Sequence, residues 1–254
     1  MVYQDLDRPP LRAATLNRAL APDGWRVEVL ASAASTNEVV ADRALAGAAP
    51  GLVVVAEQQH AGRGRLDRAW VSPARAGLTF SLLLSPTAPV SGWAWLPLLT
   101  GLAVVRALRD RAEVAAELKW PNDVLIGGRK VAGLLAEVPQ PGALVIGVGL
   151  NVSTRRDELP IEGATSLRLE GAATTDRDTL LRAVLREVSI ALADQDVAQA
   201  DYRAACSTVG QRVRVELPAG AAVEGVAEAV DDDGRLVVEG MAYTVGDVVH
   251  LRPL

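Results

Sequence analysis

ELKWPNDVLIGGRKVAG, residues 117–133, holds both lysines of the chain, Lys119 and Lys130; the other 24 basic side chains are arginines. Lysine is a compact point charge on a flexible stem, whereas arginine presents a planar fork. Two lysines in one Gly-rich stretch point to a place where a guanidinium will not serve, although a coding bias towards arginine accounts equally for their scarcity. The stretch also sets local structure. AAELKW (115–120) and DVLIGG (123–128) read as the arms of a hairpin, with Pro121 restricting the backbone before Asn122 and Asp123. Gly127-Gly128 supply a further turn, and the strand that starts there carries Lys130. If that hairpin closes, Lys130 and Asp123 lie near one another. KVAGLLAEVP (130–139) and ALVIGVGLNV (143–152) follow as core strands.

Outward from this stretch, WRVEVL (25–30), GLVVVAEQ (51–58) and LTFSLLLS (78–85) are further strands, the last two buried on both faces. Helical spacing occupies 11–20, 38–48 and 95–110, and TTDRDTLLRAVLREVSIALADQ (174–195) is amphipathic with Thr175 or Asp176 as its cap. Residues 153–178 are polar and loop-like, without a core-facing pattern. Strands alternating with helices predict an α/β domain over 1–205. After Cys206 the texture changes to short alternating strands, QRVRVEL, AVEGVAEAV, GRLVVEG and YTVGDVVHLR, joined by Pro218, Gly220 and the turn Asp233-Gly234. This predicts a small β-barrel domain over 206–254.

The net charge of −5 and pI near 5.2 argue against nucleic acid as the main partner. One cysteine, Cys206, excludes an intramolecular disulfide and any multi-cysteine metal site. The N-terminus does not resemble a signal peptide, and the apolar runs are too short to span a bilayer, so a cytoplasmic protein is expected.

Three constellations carry chemistry. AGRGRLDR (61–68) combines two glycines, which let backbone approach a ligand, with Arg63, Arg65 and Arg68, which suit a carboxylate or phosphate. It is no Walker A loop, and Asp67 spoils a dinucleotide fingerprint. Asp123 in the lysine stretch is a candidate for magnesium, a hard cation that takes oxygen ligands. Ser35, Thr36 and Asn37, with Gln59, offer neutral hydroxyls and amides suited to a neutral polar group, although the first three also read as ordinary helix caps. His60, His250 and Cys206 show no catalytic arrangement.

Taken in order, STN (35–37), QQHAGRGR (58–65), KWPND (119–123), GRKVAGLLAE (128–137) and GVGLNV (147–152) resemble the biotin protein ligases, with motif order and spacing matching along the whole chain. The resemblance implies a mixed central sheet flanked by helices, like the core of class II synthetases, with an SH3-like C-terminal barrel. It implies an ATP-dependent, magnesium-requiring ligase that makes biotinyl-5′-AMP. The biotinyl group then passes to a lysine of the biotin carboxyl carrier domain of acetyl-CoA, acyl-CoA or pyruvate carboxylases. By resemblance, Lys130 and Arg63 are catalytic, and Lys130 neutralises charge at the carboxylate and α-phosphate. Ser35, Thr36, Asn37, Gln59, Arg63, Gly64, Arg65, Lys130 and Trp70 bind biotin. Arg65, Lys119, Asn122, Asp123 and Asn151 bind ATP, with Asp123 on its metal.

The family's arginine loop reads GRGRxGR, whereas Asp67 here replaces the final glycine and puts loop closure and the role of Arg68 in question. Some family members carry an N-terminal helix-turn-helix; about 24 residues precede the first strand, too few for one, so no DNA binding is expected. Residues 62–70 and roughly 160–172 are expected to order only around the adenylate. A lipoate or octanoate ligase or transferase of the same fold, and a biotin-binding protein without catalysis, are the competing readings.

Overall fold

A computed structural model of the protein describes residues 7–65, 68–87, 89–217, 220–244 and 246–251. Helix α1 (Ala13–Leu20) leads into strand β1 (Arg26–Leu30), helix α2 (Thr36–Leu45) and strand β2 (Leu52–Ala56). A two-residue ribbon, β3 (Gly62–Arg63) and β4 (Ala69–Trp70), follows, then β5 (Gly77–Leu84) and the long helix α3 (Trp95–Arg111). Next come β6 (Ala116–Lys119), β7 (Asp123–Ile126), β8 (Arg129–Gln140) and β9 (Ala143–Asn151). Helices α4 (Arg177–Ala193) and α5 (Gln195–Ala205) complete this part.

Seven of these strands form one mixed sheet in the order β1-β2-β5-β9-β8-β7-β6. Only β1 and β2 run parallel; the other neighbours are antiparallel. Alternate side chains of a strand serve opposite faces, and β2 shows both uses. Val53 and Val55 join the core shared with α1, α3 and α4, while Leu52 and Val54 join Val40 and Ala44 of α2. The β-branched run LVVVA is fully buried because both faces are covered. The expected α/β core, mixed sheet and hairpins are all present.

One helix is expected after residue 174, whereas there are two. Asp176 caps α4 by accepting from Asp178 N at 3.1 Å, and Asp194 caps α5 by accepting from Val197 N at 3.2 Å. A second cap at Asp194 restarts the helix in a new direction.

The C-terminal part is a five-stranded antiparallel sheet of β10 (Arg212–Glu216), β11 (Ala222–Val230), β12 (Leu236–Val238), β13 (Met241–Tyr243) and β14 (Asp247–His250), in the order β13-β12-β11-β10-β14. The stretch expected as one strand, YTVGDVVHLR, is two. Glu239 and Gly240 take positive φ (48° and 71°) and turn β12 into β13, and β14 then returns to pair with β10. The turn Asp233-Gly234 joins β11 to β12 as expected. That turn is pinned to the large sheet's layer by two indoles: Trp95 Nε1 donates to Asp232 O (2.7 Å) and Trp120 Nε1 to Gly234 O (3.0 Å). Among the described residues, no helix is long and apolar enough to cross a membrane.

Candidate active site

The floor of the site follows from strand register. Residues directly opposite one another share a face. Pairing sets Lys119 opposite Asp123, Asp123 opposite Gly133, Gly133 opposite Gly149, and Gly149 opposite Thr79. One row across five strands thus carries two charged groups, two glycines and a hydroxyl on one face. Along β9 the same face runs Ala143, Val145, Gly147, Gly149, Asn151: the first two sit under α2, and the glycines open a depression.

Lys130 reaches this face through a β-bulge. Val124 pairs with Ala132, but the next residue, Leu125, pairs with Lys130, so Val131 is extra. A regular ladder would oppose Leu125 to Val131 and turn Lys130 towards the helices. The bulge reverses this, burying Val131 in the core and aiming Lys130 into the cleft. Lys130 Nζ lies 2.5 Å from Asp123 Oδ1, and Lys119 Nζ lies 3.8 Å from Asp123 Oδ2.

At the other end sits a neutral network. Ser35 occupies the cap position of α2 but makes no side-chain cap bond, so the capping role open to these residues is not what the side chains do. Instead Gln59 Oε1 accepts from Thr36 N (2.7 Å) and Thr36 Oγ1 (3.1 Å). With its oxygen taken, Gln59 has its amide nitrogen left to donate. Ser81 Oγ, fully buried on β5, lies 2.6 Å from Asn37 Oδ1 and 2.7 Å from Thr36 Oγ1. Asn37 Nδ2 donates to Glu137 Oε2 at 2.6 Å.

The arginine loop folds over the depression. Its ribbon pairs Gly62 with Trp70 and Arg63 with Ala69. Arg63 is half-exposed and ion-pairs with Glu137 (3.1 Å) and Glu38 (3.5 Å), at the neutral end. Arg65 points the other way, donating to Asn122 Oδ1 (3.3 Å) and to Gly246 O (3.2 Å). Burial pushes its guanidinium below the ordinary arginine value, against the nearby Asp247 and Asp123 carboxylates, which favour the charge. Arg68 pairs with Asp247 of β14 at 3.0 Å. The C-terminal sheet therefore holds the loop down. Asp67, the departure from the family's loop, lies outside the described residues.

Trp70 enters the depression itself. A Cβ on Gly149 would stand 2.3 Å from its ring, and Lys130 Nζ lies 5.9 Å from the ring centre. Only a glycine permits that approach.

All thirteen residues expected at the site line one continuous cleft of about 850 Å³: Ser35, Thr36, Asn37, Gln59, Arg63, Gly64, Arg65, Trp70, Lys119, Asn122, Asp123, Lys130 and Asn151. The volume suits a ligand of cofactor size. His250, set aside on sequence, also lines it. Burial, and then the charge of Lys119, push its imidazole below the usual histidine value, and its Nε2 lies 3.1 Å from Thr208 Oγ1. That hydroxyl also accepts from Trp120 N at 3.0 Å.

Asp123 does not fit a resident metal. Its carboxylate faces two ammonium groups, and no group of three metal-ligating side chains occurs among the described residues.

Residues 160–172 differ from the polar, coreless segment expected. Ala164, Thr165, Ser166 and Leu167 are buried. Lys130 N donates to Gly163 O and Lys130 O accepts from Thr165 N (both 2.8 Å), while Asn151 Nδ2 donates to Thr165 O at 2.9 Å. The segment is stitched to the two strands that carry site residues.

Two family models match the chain: "Biotin/lipoate A/B protein ligase family" over residues 29–151 and "Biotin protein ligase C terminal domain" over 208–251. A biotin--[acetyl-CoA-carboxylase] ligase of Mycobacterium tuberculosis is 45% identical over 99% of this chain and 100% of its own length. The bifunctional ligase/repressor BirA of Bacillus subtilis is 36% identical over 59% of this chain and 49% of its own. The solved biotin protein ligase of Aquifex aeolicus in complex with biotin and ATP superposes with a TM-score of 0.76 at 30% identity, covering 89% of this chain and 99% of that one.

Proposed function

The chain belongs to the biotin protein ligase family, and from that premise we infer how its cleft works. The protein activates biotin with ATP and transfers it to a lysine of a carboxylase. The biotin carboxylate attacks the α-phosphate, giving biotinyl-5′-AMP and pyrophosphate. The amine of the acceptor lysine then attacks the acyl carbon and AMP leaves.

One observation carries the assignment of ends. The cleft is neutral around Thr36, Asn37 and Gln59 and cationic around Lys119 and Lys130. Biotin has a neutral ureido ring at one end and a carboxylate at the other. Gln59 and the Ser35–Asn37 hydroxyls and amides hold the ring. Lys130 meets the carboxylate and α-phosphate, where a cation fixed in advance stabilises charge as it builds. Arg63, held by Glu38 and Glu137, is a second cation for that anion once the ligand displaces those carboxylates. Arg65, Lys119, Asn122 and Asn151 serve the nucleotide, and Gly64 and Trp70 close over it, excluding water from the acyl-phosphate. Magnesium enters as the counter-ion of ATP, part of the substrate.

The acceptor is the carrier domain of an acetyl-CoA, acyl-CoA or pyruvate carboxylase, in the cytoplasm. A net charge of −5 weighs against nucleic acid as a partner.

Pyrophosphate release from Mg-ATP with biotin and with lipoate, read beside mass spectrometry for the adenylate, tests the reading. Biotin should support release and lipoate should not. Release with lipoate alone favours the lipoate ligase, and biotin binding without biotinyl-AMP sinks the enzyme.

A further inference from the structure

Glu137 stands on the face of β8 that also carries Gly133 and Leu135, yet it does not line the cleft. Its two oxygens are divided between two partners. Oε1 lies 3.1 Å from Arg63 Nη2, and Oε2 accepts from Asn37 Nδ2 at 2.6 Å. Asn37 is buried and seated on Gly147, where a Cβ would collide with its amide.

Hydroxyls and amides alone give a hydrogen-bond network no direction. A hydroxyl donates or accepts, and an amide serves either way by turning over. A carboxylate only accepts. Glu137 therefore sets Asn37 with its nitrogen outward and its oxygen towards Ser81, a setting shared by the longer bond from Asn37 Nδ2 to Leu135 O at 3.3 Å. Asn37 Oδ1 has only lone pairs, so the one proton of Ser81 goes to it. Ser81 Oγ is left with lone pairs for Thr36 Oγ1, and Gln59 Oε1, on the other side of Thr36, also only accepts. The proton of Thr36 thus stays within the network, and its hydroxyl has a lone pair for the cleft. Gln59, its oxygen occupied, offers an N–H. One acceptor beside one N–H donor matches an N–H beside a carbonyl, which is the edge of a urea.

We propose that Glu137 is a positioning residue that gives the neutral end of the cleft this polarity, and so selects a ureido ring without touching it. The proposal rests on the ligase reading and deepens it, naming the carboxylate behind the specificity for the ring.

2-Iminobiotin keeps the tail carboxylate of biotin but replaces the ring carbonyl, an acceptor, with a C=N–H group that donates. Calorimetry with both ligands on wild type, Glu137→Gln and the exchange variant Asn37→Asp/Glu137→Gln reads the proposal as a ratio of affinities. Wild type should prefer biotin. In Glu137→Gln an amide that turns either way replaces the fixed acceptor. The preference should then fall roughly 5-fold, the step from a charge-assisted hydrogen bond to a neutral one. The exchange variant puts the acceptor-only group at 37 and the donor at 137, so the preference should return. Loss of the Arg63 pair weakens both ligands alike, since they share the tail. An unchanged ratio in Glu137→Gln therefore overturns the proposal and leaves the ligase reading standing; no biotin bound to wild type overturns both.

Should Glu137→Gln fail to fold, the exchange variant decides against wild type. A kept preference for biotin supports the proposal, and a lost one overturns it.

Discussion

Trp70 rests on Gly149: a Cβ built on that glycine would come 2.3 Å from Trp70 Cε2, closer than any real contact. The closed loop and the bare strand are thus two halves of one fit. Gly149→Ala should leave the sheet intact, since the methyl points into the cleft rather than the core, but should hold the indole out. Misplacement of about 1 Å near reacting groups costs roughly 10²-fold, and adenylate formation should fall by about that factor. Protease cutting within 62–70 should rise in parallel. An unchanged rate would show that Trp70 seats elsewhere during turnover.

Lys130→Arg keeps the charge and changes its shape. A guanidinium fork needs two oxygens in one plane, and the bulge at Val131 presents the side chain to one carboxylate oxygen at 2.5 Å. Loss of a fixed charge-stabilising group costs about 10²–10³ in rate, so pyrophosphate release should drop by about that much. Retained activity would reduce Lys130 to a mere positive charge.

Ser81→Ala deletes the hydroxyl between Thr36 and Asn37. Asn37 Oδ1 then loses that donor in a dry site, a loss of about 1–3 kcal/mol, while Thr36 keeps its bond to Gln59. We expect KM for biotin to rise ~10-fold or more with kcat little changed. Steady-state kinetics with varied biotin reads the split, and a fall in kcat alone would contradict it.

Asp247→Asn cuts the 3.0 Å tie between the C-terminal sheet and Arg68. Half-exposed ion pairs are worth about 0.2–1 kcal/mol, so the effect should be a few-fold and should shrink in high salt. The quantity to follow is biotinyl-5′-AMP escaping into solution when no acceptor is present. Escape at the wild-type rate would mean that Arg65 holds the loop unaided.

His250 has a folded-state pKa below its ordinary value of 6.5, chiefly through burial and then through Lys119. The unfolded chain therefore binds its proton more readily. Its stabilising contribution is present above pH 6.5 and is lost as the pH falls through the folded value. Thermal melts of wild type and His250→Gln between pH 7.5 and 5.5 should converge as the pH drops. Parallel curves would rule the residue out as the source.

The residues of the cleft were legible because each sits beside a strand, in a stretch whose polarity or glycine content breaks the apolar pattern. The hairpin followed from Gly127-Gly128, but the bulge at Val131 that turns Lys130 onto the face of Asp123 has no signal in the sequence. Ser81 was not legible: within LTFSLLLS its hydroxyl reads as tolerated core, and only the register showing Ser81 opposite Gly147 brings it beneath Asn37. Two hydroxyls at i and i+2, Thr79 and Ser81, in an otherwise apolar strand were the available signal. Asp247 was hidden for another reason, since a salt link between residues 68 and 247 has no local trace. The burial of 164–167 came from pairing with Lys130 and Asn151, which a polar composition conceals.

The extra residue at Val131 makes the identity of the cleft-facing amine a matter of counting. Without the bulge, and with every side chain still present in the chain, Leu125 would oppose Val131 and the ammonium would enter the helix-packed layer. Two sequences that share every motif but differ in that register would present different groups to the cleft. In this fold, the backbone irregularity at Val131 shapes the charge of the cleft as much as the lysine it aims.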